Sequence, residues 1–157
     1  MDIIHIGLDI GSTTIKAVVT DENEKIIFSK YERHSARIRE KVLIFLSEIK
    51  QQTGDMEAYT TITGSIGMGI AERYNIPFIQ EVVSATEYMR NKHSDIHTLI
   101  DIGGEDAKVV FFYDGQSPDL RMNGNCAGGT GSFIDQMAIL LNVSIPELND
   151  MFILLKF

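Results

Sequence analysis

Asp9-Ile10-Gly11-Ser12-Thr13-Thr14 is echoed about ninety residues later by Asp101-Ile102-Gly103-Gly104-Glu105-Asp106. Apolar runs flank both copies: Ile3 to Leu8 and Ile15 to Val19 around the first, Leu99 to Ile102 and Val109 to Phe112 around the second. Each copy reads as strand, tight glycine turn, strand. The chain therefore carries an internal duplication, and its fold must use the same hairpin twice.

The elements between the copies follow from periodicity. Strands are expected near 3–9, 14–20 and 25–30, with turns at Gly11 and at Asp21-Glu22-Asn23. Ile38, Val42, Phe45, Leu46 and Ile49 recur at three- and four-residue steps, which predicts an amphipathic helix ending at Gly54. A strand over 59–63, a short helix over 70–74, a strand at Phe78 to Gln80 and a helix over 81–92 follow. That last helix should bury Val82, Ala85, Tyr88 and Met89. Strands over 97–102, 107–113 and 119–123 open the duplicate. The class is α/β: a first lobe over 1–93 and an incomplete second lobe over 94–157, with the boundary near His93-Ser94-Asp95.

The residue types at the two turns suit phosphate. Glycine at a turn tip permits positive φ and leaves no Cβ between backbone N–H groups and a bound anion. Ser12, Thr13 and Thr14 add hydroxyls. Asp9 and Asp101 end the strands where a hydrated magnesium ion would take one or two carboxylates. Facing each other, two such hairpins would clamp a nucleoside triphosphate. Asp-x-Gly is also ordinary turn punctuation; the second copy in a matching context sets this pair apart. Lys16 lies on the same strand face as Thr14, within reach of a phosphate or of solvent. Glu81 either lines a cleft or complements its helix dipole.

Other features mark no site. Gly64-Ser65-Ile66-Gly67-Met68-Gly69 lacks the full dinucleotide pattern and the lysine of a P-loop, and reads as an interlobe turn. His5, His34, His93 and His97 have no metal-ligand spacing with Cys126, which argues against zinc. A net charge of −8 argues against a nucleic-acid surface. One cysteine excludes an intrachain disulfide. Neither a membrane-length apolar run nor a secretory leader pattern is present in the sequence, so a soluble cytoplasmic protein is expected.

Cys126 stands before Gly128-Gly129-Thr130-Gly131 and the apolar-periodic Phe133, Ile134, Met137, Leu140 and Leu141. It is placed near a helix N-terminus, where the dipole favours thiolate. An inert core residue is the common fate of a lone cysteine; the glycine-rich setting tells against that fate only together with the family resemblance that this segment carries.

The two turns resemble the phosphate loops of the superfamily that includes actin, sugar and acetate kinases and heat-shock chaperones. The stretch from Arg121 to Phe133 is similar to the cysteine segment of the activators of 2-hydroxyacyl-CoA dehydratases and the related benzoyl-CoA reductase ATPase subunits. With Ile76 to Thr86 and Gly103-Gly104-Glu105-Asp106, the chain most resembles the first ATPase module of the longer CoA-substrate-specific activases. The resemblance implies an actin-like, ribonuclease-H-type ATPase fold, one full lobe plus part of a duplicated second. It implies a homodimeric ATP-driven activator whose subunit-bridging [4Fe–4S] cluster passes low-potential electrons to an acyl-CoA dehydratase-type enzyme. A ferredoxin or flavodoxin would supply those electrons. In these terms Asp9 and Asp101 would position magnesium and polarise the attacking water, with Glu105 orienting or deprotonating it. Gly11, Ser12, Thr13, Thr14, Lys16, Gly103 and Gly104 would hold ATP phosphates, and Cys126 would ligate iron.

A four-thiolate cluster exceeds the two cysteines of a symmetric pair of these chains. The run Met151-Phe152-Ile153-Leu154-Leu155-Lys156-Phe157 also lacks the polar spacing of a continuing amphipathic helix. Both lead to the expectation of a truncated chain, not competent alone. Two other functions remain open here: a small-molecule kinase of the same superfamily, and an inactive nucleotide-binding fragment.

Overall fold

The computed structural model describes residues 3–123 and 128–154, with 152–154 by backbone alone. Contacts divide the chain into two units, Met1–Tyr88 and Met89–Phe157.

In the first unit β1 (Ile3–Ile10), β2 (Thr14–Thr20) and β3 (Ile26–Arg33) form an antiparallel meander. Helix α1 (Ile38–Thr53) then crosses over, so that β4 (Glu57–Thr63) pairs parallel with β1 and the sheet order is β3-β2-β1-β4. The two-residue strand period sets the core. Ile4, Ile6, Leu8 and Ile10 of β1 and Ile15, Ala17 and Val19 of β2 are buried, while His5 and Gly7 face the other side. Phe45 and Ile49 of α1, Ile62 of β4 and Ala71 of α2 (Gly67–Tyr74) complete the cluster. Each large aliphatic or aromatic side chain buried here contributes roughly 1.5–3 kcal/mol.

Several elements differ from expectation. β3 runs on to Arg33, because its ladder with β2 continues to Thr14↔Arg33. Helix α2 starts at Gly67 rather than 70: a Cβ at Gly67 would lie 2.7 Å from Ile62 Cγ2, so glycine serves close packing there. Gly64 to Ile66 join β4 to α2, whose first turn contains Gly67 and Gly69, so the stretch lies inside the first unit and is not an interlobe turn. The strand at Phe78 to Gln80 reduces to one bridge, Ile62↔Phe78, since β4 ends at Thr63 and leaves no ladder to extend. Helix α3 (Glu81–Lys92) buries none of its residues, and Tyr88 is 58% exposed, contrary to the burial expected of Val82, Ala85, Tyr88 and Met89.

In the second unit β5 (Thr98–Ile102), β6 (Ala107–Phe111) and β7 (Asp119–Asn123) form an antiparallel meander. Helices α4 (Gly131–Leu140) and α5 (Ile145–Leu154) follow. Asn142, at φ 53°, turns the chain between them. Helix α5 is anchored by a capping box: the Ser144 N–H donates to Glu147 Oε2 at 2.7 Å, and the Glu147 N–H donates back to Ser144 Oγ at 3.4 Å. These N–H and hydroxyl donors of Ser144 hold the Glu147 carboxyl below its usual range. Met151 to Leu154 are thus helical, against the expectation from their apolar spacing: the cap and buried Leu148 fix the helix.

Candidate functional site

The first glycine turn links β1 to β2. The Gly11 N–H donates to Thr14 O at 3.0 Å and closes it. Pairing places Asp9 opposite Lys16 on one side and opposite Thr63 of β4 on the other. Lys16 Nζ donates to Asp9 Oδ2 at 2.6 Å. Partial burial acts to lower the Lys16 pKa, but the hydrogen bond and charge of Asp9, with Tyr31 and Glu81, outweigh it and hold the ammonium above its ordinary range. The Lys16 ammonium also lies 5.8 Å from the centre of the Tyr31 ring.

Asp9 Oδ1 and Thr63 Oγ1 are buried without a hydrogen-bond partner among the described residues. Two orphaned oxygens on paired positions are costly unless a ligand satisfies them. Hard oxygen donors of this kind suit a hydrated divalent cation.

The second glycine turn links β5 to β6, and the Gly103 N–H donates to Asp106 O at 2.8 Å. Asp101 is paired with Lys108, as Asp9 is with Lys16. Lys108 is 7% exposed; its ammonium lies 2.8 Å from Asp106 Oδ2 and 3.8 Å from Asp101 Oδ2. A Cβ on Gly103 would lie 2.4 Å from Asp106 Oδ1, so this glycine makes room for that carboxylate. The N-terminus of α4 closes on the same turn. The N–H groups of Gly131 and Ser132 donate to the carbonyls of Gly103 and Gly104, both at 2.9 Å. Those two amides are therefore committed to the turn. Glu105 is exposed.

Neither Gly11 nor Gly103 takes the positive φ expected of them. At Gly103 the gain is space instead. Cys126 lies outside the described residues, and among those described there is no group of three or more His, Cys, Asp or Glu poised for a metal. A cavity lined by Arg90, His93, His97, Tyr113 and Asp114 involves none of the predicted site residues. No helix among the described residues is long and apolar enough to cross a membrane.

Sequence reasoning missed Thr63, Lys108 and His34. Lys108 was within reach, because each aspartate is followed by a lysine seven positions on. Thr63 gives no such signal, since only strand pairing brings it beside Asp9. His34 entered only as one of four histidines without metal spacing; it is 4% exposed and touches the first turn.

Known proteins similar to this chain include activators of 2-hydroxyacyl-CoA dehydratases. The chain is 29% identical over 96% of its length to the (R)-2-hydroxyglutaryl-CoA dehydratase activating ATPase of Acidaminococcus fermentans, covering 58% of that protein. It is 30% identical over 90% of its length to the 2-hydroxyisocaproyl-CoA dehydratase activator of Clostridioides difficile, covering 54% of it. The solved structure of the latter activator with bound ADPNP matches at a TM-score of 0.73 and 31% identity, over 94% of this chain and 55% of that one. The chain thus spans little more than half the length of these relatives. The fold is that of the actin-like ATPases. Residues 6–152 match the BadF/BadG/BcrA/BcrD ATPase family, and the chain belongs to it.

Proposed function

We propose that this chain is the nucleotide-binding part of an ATP-driven activator of a 2-hydroxyacyl-CoA dehydratase-type enzyme. The observation that carries the reading is the repeated arrangement of aspartate, glycine turn and cross-strand lysine: Asp9 with Lys16, Asp101 with Lys108. In this reading the two turns hold phosphate oxygens, Gly11 to Thr14 through the Ser12, Thr13 and Thr14 N–H groups and hydroxyls and Gly103-Gly104 through the Gly104 N–H, while the Gly11 and Gly103 N–H groups close the turns. Lys16 swings from Asp9 to a phosphate when nucleotide enters. Asp9 and Asp101 take magnesium directly or through its waters, and the orphaned Asp9 Oδ1 fits that role. Magnesium would neutralise charge developing on the transferred phosphoryl group. Glu105, exposed at the turn tip, orients or deprotonates the attacking water.

The dehydratase partner, a homodimeric assembly and the electron-transfer step belong to the whole protein. The iron-sulfur group is not completed by these residues: one cysteine per chain gives two thiolates in a symmetric pair, where four are needed. We assign no electron-transfer step to them.

Titration with ADPNP, with and without magnesium, tests the reading. Asp9→Ala and Asp101→Ala should each weaken the magnesium-dependent binding more than the magnesium-free binding. Equal losses under both conditions would remove the metal role.

A further inference from the structure

His34 stands between the first glycine turn and the start of α1, and it meets both through every polar atom it owns. Its backbone N–H donates to Thr13 O at 3.2 Å. Its Nδ1 accepts from the Ala36 N–H at 3.2 Å, so Nδ1 carries no proton. The proton is therefore on Nε2, which lies 3.1 Å from Gly11 O and donates to it. These two hydrogen bonds select the Nε2–H tautomer, and at 4% exposure the ring is shielded from water.

The turn that carries it is strained. Ser35 and Ala36 both adopt positive φ, 47° and 62°, a region that side chains with a Cβ disfavour. The Arg37 N–H closes this turn onto His34 O at 2.8 Å, and α1 begins at the next residue. Strain of this sort persists where the surroundings over-determine it, which is common at ligand clamps.

From this geometry we infer that His34 is a positioning residue for the phosphate-binding amides of the Gly11–Thr14 turn. In a trans peptide the C=O and the following N–H point in opposite directions, and the described peptides are all trans. Drawing the Gly11 and Thr13 carbonyls onto His34 thus turns the Ser12 and Thr14 N–H groups away from it, toward the side where a phosphate would sit. A flexible turn would have to order these amides at the moment of binding; His34 orders them beforehand. The inference rests on the proposed nucleotide reading of this turn.

Two substitutions separate the functions of the ring. In His34→Gln the side-chain amide reaches as far as Nε2 and still donates to Gly11 O. In His34→Asn the shorter side chain can accept from Ala36 but cannot reach Gly11. Binding of magnesium–ADPNP should weaken about tenfold in His34→Asn, the equivalent of about 1.4 kcal/mol or one hydrogen bond. It should stay within about threefold in His34→Gln. Unfolding measured on the same samples should not follow that order. Nitrogen NMR of the unliganded wild type should show the proton on Nε2; a proton on Nδ1 overturns the inference. So do Asn and Gln variants that both bind as the wild type does, and that result leaves the nucleotide reading intact. Failure of the wild type to bind magnesium–ADPNP overturns the nucleotide reading, and the role of His34 with it.

Discussion

Gly64→Ala is the substitution whose cost the structure defines most sharply. Gly64 follows β4 at φ 96°, and a Cβ built there lies 2.4 Å from Ile10 C and O and 2.6 Å from Ile10 N. All three contacts are with backbone, so no side chain can rotate away. The Ile10 carbonyl also accepts from the Ile66 N–H at 3.0 Å, which ties this turn to β1 directly before Gly11. Positive φ for alanine costs about 1–2 kcal/mol, and forced overpacking typically adds about 1–3 kcal/mol. The sum, about 2–5 kcal/mol, is a large part of the roughly 5–15 kcal/mol that holds a domain folded. Gly69→Ala is the control: nothing lies within 4 Å of its Cβ, and it sits inside α2. There alanine should stabilise by about 0.5–1 kcal/mol. Urea unfolding followed by circular dichroism compares the two. A Gly64→Ala protein within 1 kcal/mol of wild type would refute the argument that the backbones of Gly64 and Ile10 must touch.

Three further predictions follow from other parts of the molecule. Lys108→Met should destabilise by only about 1 kcal/mol, because both carboxylate partners are more than a third exposed, and added salt should shrink the difference in unfolding midpoint. Hydrogen bonds from Lys41 and Lys30 hold the Glu32 carboxyl below its ordinary value of 4.5. Its contribution is therefore present above that value and lost as pH falls through the lowered one, and Glu32→Gln should flatten the acid limb of a pH–stability curve. Reconstituted anaerobically with iron and sulfide, the 157-residue chain should emerge from gel filtration colourless; about four irons per pair of chains would show that further ligands exist within it.

How much could be read in advance varied with the kind of interaction. β1, β2 and α1 were legible because alternating isoleucines and the stripe containing Phe45 and Ile49 state their period directly. The two glycine turns were legible because they repeat. The end of helix α5 was not legible, although Ser144-Ile145-Pro146-Glu147 spells a capping box, because the apolar run from Met151 carries no helical period of its own. Thr63 and His34 were not legible as site residues. Asp9 meets Thr63 only once β4 has crossed back to β1, and His34 meets Gly11 only through the ladder that carries β3 to Arg33. Long-range pairing, not local pattern, makes those contacts.

Amide NMR during a titration with magnesium–ADPNP tests the central claim most directly. The account predicts saturable shifts that concentrate on Gly11 to Thr14 and on Gly103-Gly104, and that lose their magnesium dependence in Asp9→Ala. Shifts confined to the cavity around Arg90 and Tyr113, or to Gly64 to Gly69, would contradict it.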